Sequence, residues 1–172
     1  METFEAVRTV LAVRSYTEQP VTPNVVRKIV EAAHLTASSS NRQPWHFIVV
    51  QDRETLQKLG TALSGNGPYI AQAPLAIAVV IDRTPQAVSD GSRAVQSMLL
   101  TAWSEGVGGN WVGFVGLIDA ARPILGIPED RDILAILPIG YPTNPGGKGQ
   151  KNRKPFEEVV FSEQWGQPFT GS

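Results

Sequence analysis

The run Pro74-Leu-Ala-Ile-Ala-Val-Val-Ile-Asp82 constrains the fold more than any other stretch of the chain. It is apolar at every position between the proline and the aspartate, and far too short to cross a membrane. Such a run reads as a strand covered on both faces, which requires other elements to pack above and below it. The longest helical pattern follows, from Val88 to Glu105, with Ala94, Val95, Met98, Leu99 and Ala102 along it. A second run, Trp45 to Gln51, is apolar at nearly every position and is also expected to be buried on both faces.

The other elements fall around these. Thr3 to about Val13 reads as a helix capped by Thr3, with Phe4, Val7, Val10 and Leu11 on one face. Thr22-Pro23 opens a second helix with an apolar stripe of Val25, Val26, Ile29, Val30 and Ala33. Arg53 to about Leu63 is helical through Leu56, Leu59 and Leu63, and Ser64-Gly-Asn-Gly-Pro68 breaks it. Asn110 to Val115 reads as a third strand, and Asp119 to Leu125 as a short helix closed by Gly126 and Pro128. Arg131 to Ile139 reads as a fourth strand, stopped by Gly140-Tyr-Pro142. A Gly-, Pro- and Lys-rich segment, Thr143 to Lys154, precedes a β-like piece from Phe156 to Phe161. This order predicts a single domain over 1–172, an α+β (α/β) sandwich with four or five strands. The extended tail, 143–172, could add to the sheet edge of a neighbour and so give a dimer.

Composition removes several classes of function. The chain has 172 residues, a net charge of −1 and no cysteine. Near-neutral charge gives no pointer to a nucleic-acid or membrane surface. Without cysteine there is no disulfide, thiolate nucleophile or cysteine-ligated metal. The first residues carry no basic-then-apolar signal, so a cytoplasmic location is expected. The two histidines, His34 and His46, lack carboxylates at ligand spacing, and His34 reads as a residue at a helix end. No Gly-x-Ser-x-Gly elbow or P-loop is present, and Gly106-Val-Gly-Gly109 follows a helix rather than a strand, the reverse of a dinucleotide fingerprint.

What remains is a polar loop and a few cations. Thr36-Ala-Ser-Ser-Ser-Asn-Arg-Gln-Pro-Trp-His-Phe47 joins a helix to a strand and gathers hydroxyl and amide groups ahead of a rigid Pro-Trp step. It suits a planar ligand with polar edges; it equally suits a turn cluster ahead of a core tryptophan. The cations are Arg14, Arg42, and Lys148, Lys151, Arg153 and Lys154 in the tail. The tail cations, set among glycines, can wrap an anion or simply form a solvated face.

Together these segments resemble the nitroreductase family of flavin mononucleotide (FMN) enzymes in its short bacterial form. Ala37-Ser-Ser-Ser-Asn-Arg-Gln-Pro-Trp45 is similar to the family's Pro-Ser-x-x-Asn-x-Gln-Pro-Trp segment, with Ala37 in place of the proline. Gly106-Val-Gly-Gly-Asn-Trp-Val-Gly113 resembles the turn beside the flavin ring. Leu137-Pro-Ile-Gly-Tyr-Pro142 and Lys151-Asn-Arg-Lys-Pro-Phe-Glu-Glu158 resemble the closing strand and tail. One departure is marked: where the family has the Arg-Arg-Ser that grips the FMN phosphate, this chain has Val10, Leu11 and Ala12.

The resemblance implies a mostly antiparallel central sheet flanked by helices, and a homodimer with flavin sites at the subunit interface. It implies FMN as cofactor and NADH or NADPH as electron donor. The acceptor would be a nitroaromatic, a quinone or a related small molecule. The flavin carries the chemistry, so no catalytic acid, base or nucleophile is required. Cofactor-binding roles fall to Arg14 beside N1 and O2, to Ser38, Ser39 and Asn41 at the ring and ribityl edges, and to Trp111, Val112 and Gly113 along the ring. Lys151 and Arg153 are matched to the phosphate, with Lys148 as a further cation and Asn66 at the pyrimidine edge. The rival readings are a flavin-binding or regulatory module with little turnover, and a specialised flavin enzyme of the same fold.

Overall fold

The structure is a computed structural model and describes residues 1–63, 65–144 and 151–170. Four strands form one sheet: β1 Trp45–Val50, β2 Leu75–Asp82, β3 Gly108–Gly109 and β4 Arg131–Gly140. Their order is β1-β2-β4-β3, antiparallel throughout. This is the α+β sandwich that the sequence predicts. β2 lies inside the sheet, and its alternating side chains divide the core. Leu75, Ile77, Val79 and Ile81 face α2 (Pro23–His34) and α5 (Ala87–Ser104), where they meet Ile29, Ala33, Met98 and Ala102. Ala76, Ala78 and Val80 face the other layer, built by α3 (Arg53–Ala62), α4 (Gly67–Gln72) and α6 (Arg122–Leu125), where Leu56, Leu59 and Ile70 pack.

The periodic segments fold as read. The α2 stripe of Val25, Val26, Ile29 and Ala33 is buried, and Leu56 and Leu59 anchor α3. Gly126 ends α6 in the left-handed region with φ 64°.

Five expectations are corrected. First, among the described residues β1 is an edge strand paired with β2 alone, so His46 and Val49 are exposed rather than covered on both faces. Second, α1 is shorter than expected, Thr3–Thr9, with Glu2 at its N-cap and no side-chain cap from Thr3. Phe4 and Val7 are exposed, and Ala6 and Thr9 are the residues it buries. The chain leaves the helix because it is drawn along the sheet margin, where Val13 N–H bonds the Gly109 carbonyl at 3.0 Å and Thr17 N–H bonds that of Tyr141 at 2.8 Å.

Third, the Gly-Asn-Gly-Pro stretch starts α4 rather than only breaking α3: Pro68 occupies its first turn, where a missing N–H costs nothing. Fourth, Asn110 to Val115 is not a strand. Pairing stops at Gly109, apart from a bridge between Val112 and Ile136, because Gly113 and Gly116 turn the chain at φ 84° and 80°. Fifth, Phe156–Glu158 is a 3-10 turn, and Phe161 bridges Pro168 within the tail instead of forming a longer strand.

Candidate functional site

The serine loop is strained and internally tied. Ser40 and Asn41 (φ 53°) and Gln43 (φ 49°) all occupy the left-handed region. Asparagine tolerates it; for serine and glutamine it costs about 1–2 kcal/mol each. Gln43 precedes Pro44, which disfavours the right-handed helical region there. The Ser38 hydroxyl accepts from Gln43 N–H at 2.9 Å, and the Gln43 side-chain amide donates to Asn41 Oδ1 at 3.1 Å. Ser39 donates through its N–H (3.1 Å) and hydroxyl (3.2 Å) to the two carboxylate oxygens of Asp90, in the first turn of α5. Trp45 then buries its ring in the core, so the loop is both a turn cluster over a core tryptophan and an exposed run of polar groups.

Arg14 lines a separate cavity of about 720 Å³. Its walls are Glu2, Glu5, Thr9, Leu11, Ala12 and Val13, the α5 end at Trp103 and Gly106, and Pro142 to Asn144. The Arg14 guanidinium is exposed and makes no hydrogen bond or ion pair among the described residues. Its backbone, by contrast, is fixed on both sides. The Tyr16 hydroxyl lies 2.6 Å from the Val13 carbonyl and 3.1 Å from that of Pro138, and the Asn110 amide donates to both Val13 O and Tyr16 Oη. Burial pushes the Tyr16 phenol well above its ordinary value, against weaker opposing effects of Asn110 and Arg14. Trp103 Nε1 donates to Thr9 Oγ1 at 2.9 Å, which pins α1 to α5.

These two centres do not meet within one chain. The serine loop is tied to the start of α5 through Asp90, and the Arg14 cavity borders its end at Trp103. A rise of ~1.5 Å per residue puts roughly 20 Å between those two helix positions. The sheet says the same: the loop enters β1 beside Ile81, whereas Tyr16 bridges Pro142 beyond the far end of β4.

The remaining candidates divide between structural and open roles. Lys151 donates to the Val7 carbonyl near the end of α1, beside the cavity. Arg153 is exposed and gives one N–H to the Asn152 carbonyl at 3.0 Å. Lys148 lies outside the described residues. Trp111 Nε1 donates to the Gly113 carbonyl at 2.5 Å, and Val112 exchanges two backbone bonds with Ile136, both 3.0 Å. Asn66 is exposed at the start of α4. Among the described residues no group of acidic, histidine or cysteine side chains could hold a metal ion, and no helix is long and apolar enough to cross a membrane.

Sequence reasoning missed Asp90, Tyr16 and Asn110. Asp90 had a legible signal: with Ala87, Gly91, Ala94 and Met98 it falls on the buried stripe of α5, where a lone carboxylate needs a partner. Tyr16 and Asn110 are far apart in sequence and carried none.

The Nitroreductase family model matches residues 8–85 and 70–141. A protein of Methanothermobacter thermautotrophicus, provisionally named an NADH dehydrogenase/NAD(P)H nitroreductase, is 36% identical over 155 residues, which is 85% of this chain and 81% of that one. An FMN reductase (NAD(P)H) of Bacillus subtilis is 29% identical over 160 residues, 93% of this chain and 59% of that one. The crystal structure of a Bacteroides thetaiotaomicron protein, provisionally named an NADH dehydrogenase/NAD(P)H nitroreductase, superposes with a TM-score of 0.86 at 28% identity, covering 95% of this chain and 98% of that one.

Proposed function

We propose that this chain, which belongs to the nitroreductase family, is an FMN-dependent NAD(P)H oxidoreductase whose site is shared by two copies. The observation that carries this reading is the placement of its polar groups. The serine loop and Arg14 sit at opposite ends of α5, both exposed. A second copy that brings its loop to the Arg14 cavity completes a ring of donors which neither chain holds alone. Exposed Phe156, Val159, Trp165 and Phe169 on the tail, and Phe4 and Val7 on α1, are apolar surface of the kind such pairing covers.

The residues present fit a flavin. Planar aromatic rings with polar edges need hydrogen-bond partners around the rim and apolar surface along the face. Ser38 and Asn41 supply the former. The half-buried Trp111 and Gly113, with Val112 buried between them, are the candidates for the latter. Bound there, FMN supplies two-electron transfer between the nicotinamide and the acceptor. Arg14, fixed in backbone and free in side chain, places positive charge against the pyrimidine edge, where reduction leaves negative charge.

The phosphate depends on fewer cations than the family pattern provides. At the Arg-Arg-Ser positions Leu11 and Ala12 present apolar wall, so the anion falls to Arg153 and Lys151. Arg153 retains most of its donors after its one backbone bond, and Lys151 retains two. The acceptor class is a nitroaromatic, quinone or related small molecule.

The test is a visible spectrum of the purified protein with and without added FMN, followed by NADH and NADPH oxidation with menadione or nitrofurazone. Flavin bands with acceptor-dependent turnover support the reading. Flavin binding without turnover favours a binding module, and absence of any flavin binding rejects both.

A further inference from the structure

We propose that Asp90 is a positioning residue: it fixes the serine loop in its strained shape by accepting both hydrogen bonds that Ser39 offers. The role in cofactor binding rests on the reading just given; the role in loop geometry does not.

Three observations converge on Asp90. It is fully buried, and among the described residues it is the sole group outside the segment 36–45 that hydrogen-bonds residues 37–43. Its two oxygens take different donors, Oδ2 the Ser39 N–H and Oδ1 the Ser39 hydroxyl together with the Arg93 guanidinium. A buried carboxylate with its lone pairs so engaged holds its donors in one orientation.

The loop it holds needs such a clamp. Ser40, Asn41 and Gln43 have positive φ, and backbone in that region persists only where its surroundings over-determine it. The internal bonds from Asn41 N–H to Ser38 O, from Arg42 N–H to Ser39 O and from Gln43 N–H to Ser38 Oγ close the loop on itself. They do not say where it sits on the protein. The flanks are held at Thr36, whose hydroxyl donates to Ser97 Oγ, and at Pro44, whose carbonyl accepts from Asp82 N–H. Between them the anchor is Asp90, whose position in the first turn of α5 is set by the helix and the core beneath it. The aim of Asn41 is therefore decided by a carboxylate that never touches the ligand.

Asp90→Asn preserves the shape and replaces one acceptor oxygen with a donor. The first arm of the test needs no cofactor: hydrogen exchange of the unliganded protein. The amides of Asn41, Arg42 and Gln43 are expected to exchange about tenfold faster or more in D90N, as befits a lost charge-assisted bond, while those of β2 and α2 keep wild-type rates. The second arm is the FMN dissociation constant at 25 °C by fluorescence quenching, expected to rise about tenfold or more. Ser39→Ala is expected to do the same in smaller measure, and D90N/S39A to be less than additive, because both act through one contact.

A merely structural Asp90 would lower the melting temperature and leave local exchange in 41–43 and the affinity of folded protein unchanged. That result overturns the proposal, as does full additivity in the cycle. Should D90N fail to fold, S39A carries the same exchange test. Should the wild-type protein bind no flavin, the functional reading fails while the exchange arm still decides the role of Asp90.

Discussion

Asn110 and Tyr16 meet inside the protein: the Asn110 amide donates to the Tyr16 hydroxyl at 3.1 Å and to the Val13 carbonyl at 2.7 Å. Both residues are buried, and between Val13 and Tyr16 the chain presents Arg14 to the cavity. Substitution Asn110→Leu removes the amide: the Val13 carbonyl loses one of its two donors and keeps the Tyr16 hydroxyl, and the Tyr16 oxygen loses the N–H it accepts. A loss of about 1–3 kcal/mol in stability is expected from urea unfolding.

Tyr16 also makes stability depend on alkaline pH. Burial raises its folded-state pKa above the unfolded value near 10. A raised acid binds its proton more tightly when folded, so its contribution is complete below the unfolded pKa. It is lost as pH climbs from there toward the folded value. The wild-type melting temperature is expected to fall more steeply than that of Tyr16→Phe above about pH 10. Parallel curves for the two proteins would contradict the buried phenol.

Gly113 has φ +84°, and an added Cβ would overlap the Ile118 side chain. Gly113→Ala is expected to destabilise by about 2–4 kcal/mol, combining a left-handed alanine with overpacking. Gly116→Ala, with φ +80° and open space at its Cβ, should cost only the backbone share, about 1–2 kcal/mol. Equal losses for the two would show that the Ile118 contact is unimportant.

The sequence made the periodic parts of this fold readable and the contextual parts opaque. Ile29, Ala33, Leu56 and Leu59 reveal their helices because burial there follows the helix period, and β2 reveals itself as an unbroken apolar run buried on both faces. The apolar run of β1 cannot reveal that it lies at the sheet edge, since edge position depends on which strands pair. α4 was hidden because Gly67 and Pro68 read as breakers; Gly67 is there because it packs closely on the Gly60 backbone. The loop from Ser38 to Asn41 was legible as polar and bent. Its anchor was not, because Asp90 is far away in sequence and joins Ser39 only when α5 packs beside the loop. The separation of Arg14 from that loop was equally beyond a linear reading.

If Arg153 holds the FMN phosphate, Arg153→Ala should weaken binding by about 1.5–3 kcal/mol, the range for a hydrogen bond to a charged group. Arg14→Ala should slow reduction by NAD(P)H more than it weakens binding, because negative charge at its edge develops on reduction. Titration of flavin fluorescence and stopped-flow bleaching of the visible band measure the two effects. An unchanged affinity in the first variant, or an unchanged reduction rate in the second, would remove the role assigned to that residue.

Mixing two defective variants tests most directly whether two chains build one site. Arg14→Ala and Asn41→Ala proteins are purified separately, each with impaired flavin-dependent turnover, then unfolded and refolded together in equal amounts. With Arg14 and Asn41 supplied by different chains, each mixed dimer has one intact site, and about one quarter of wild-type sites should return. If both residues of a site come from the same chain, every site carries one lesion; turnover no higher than the average of the two variants would contradict the account.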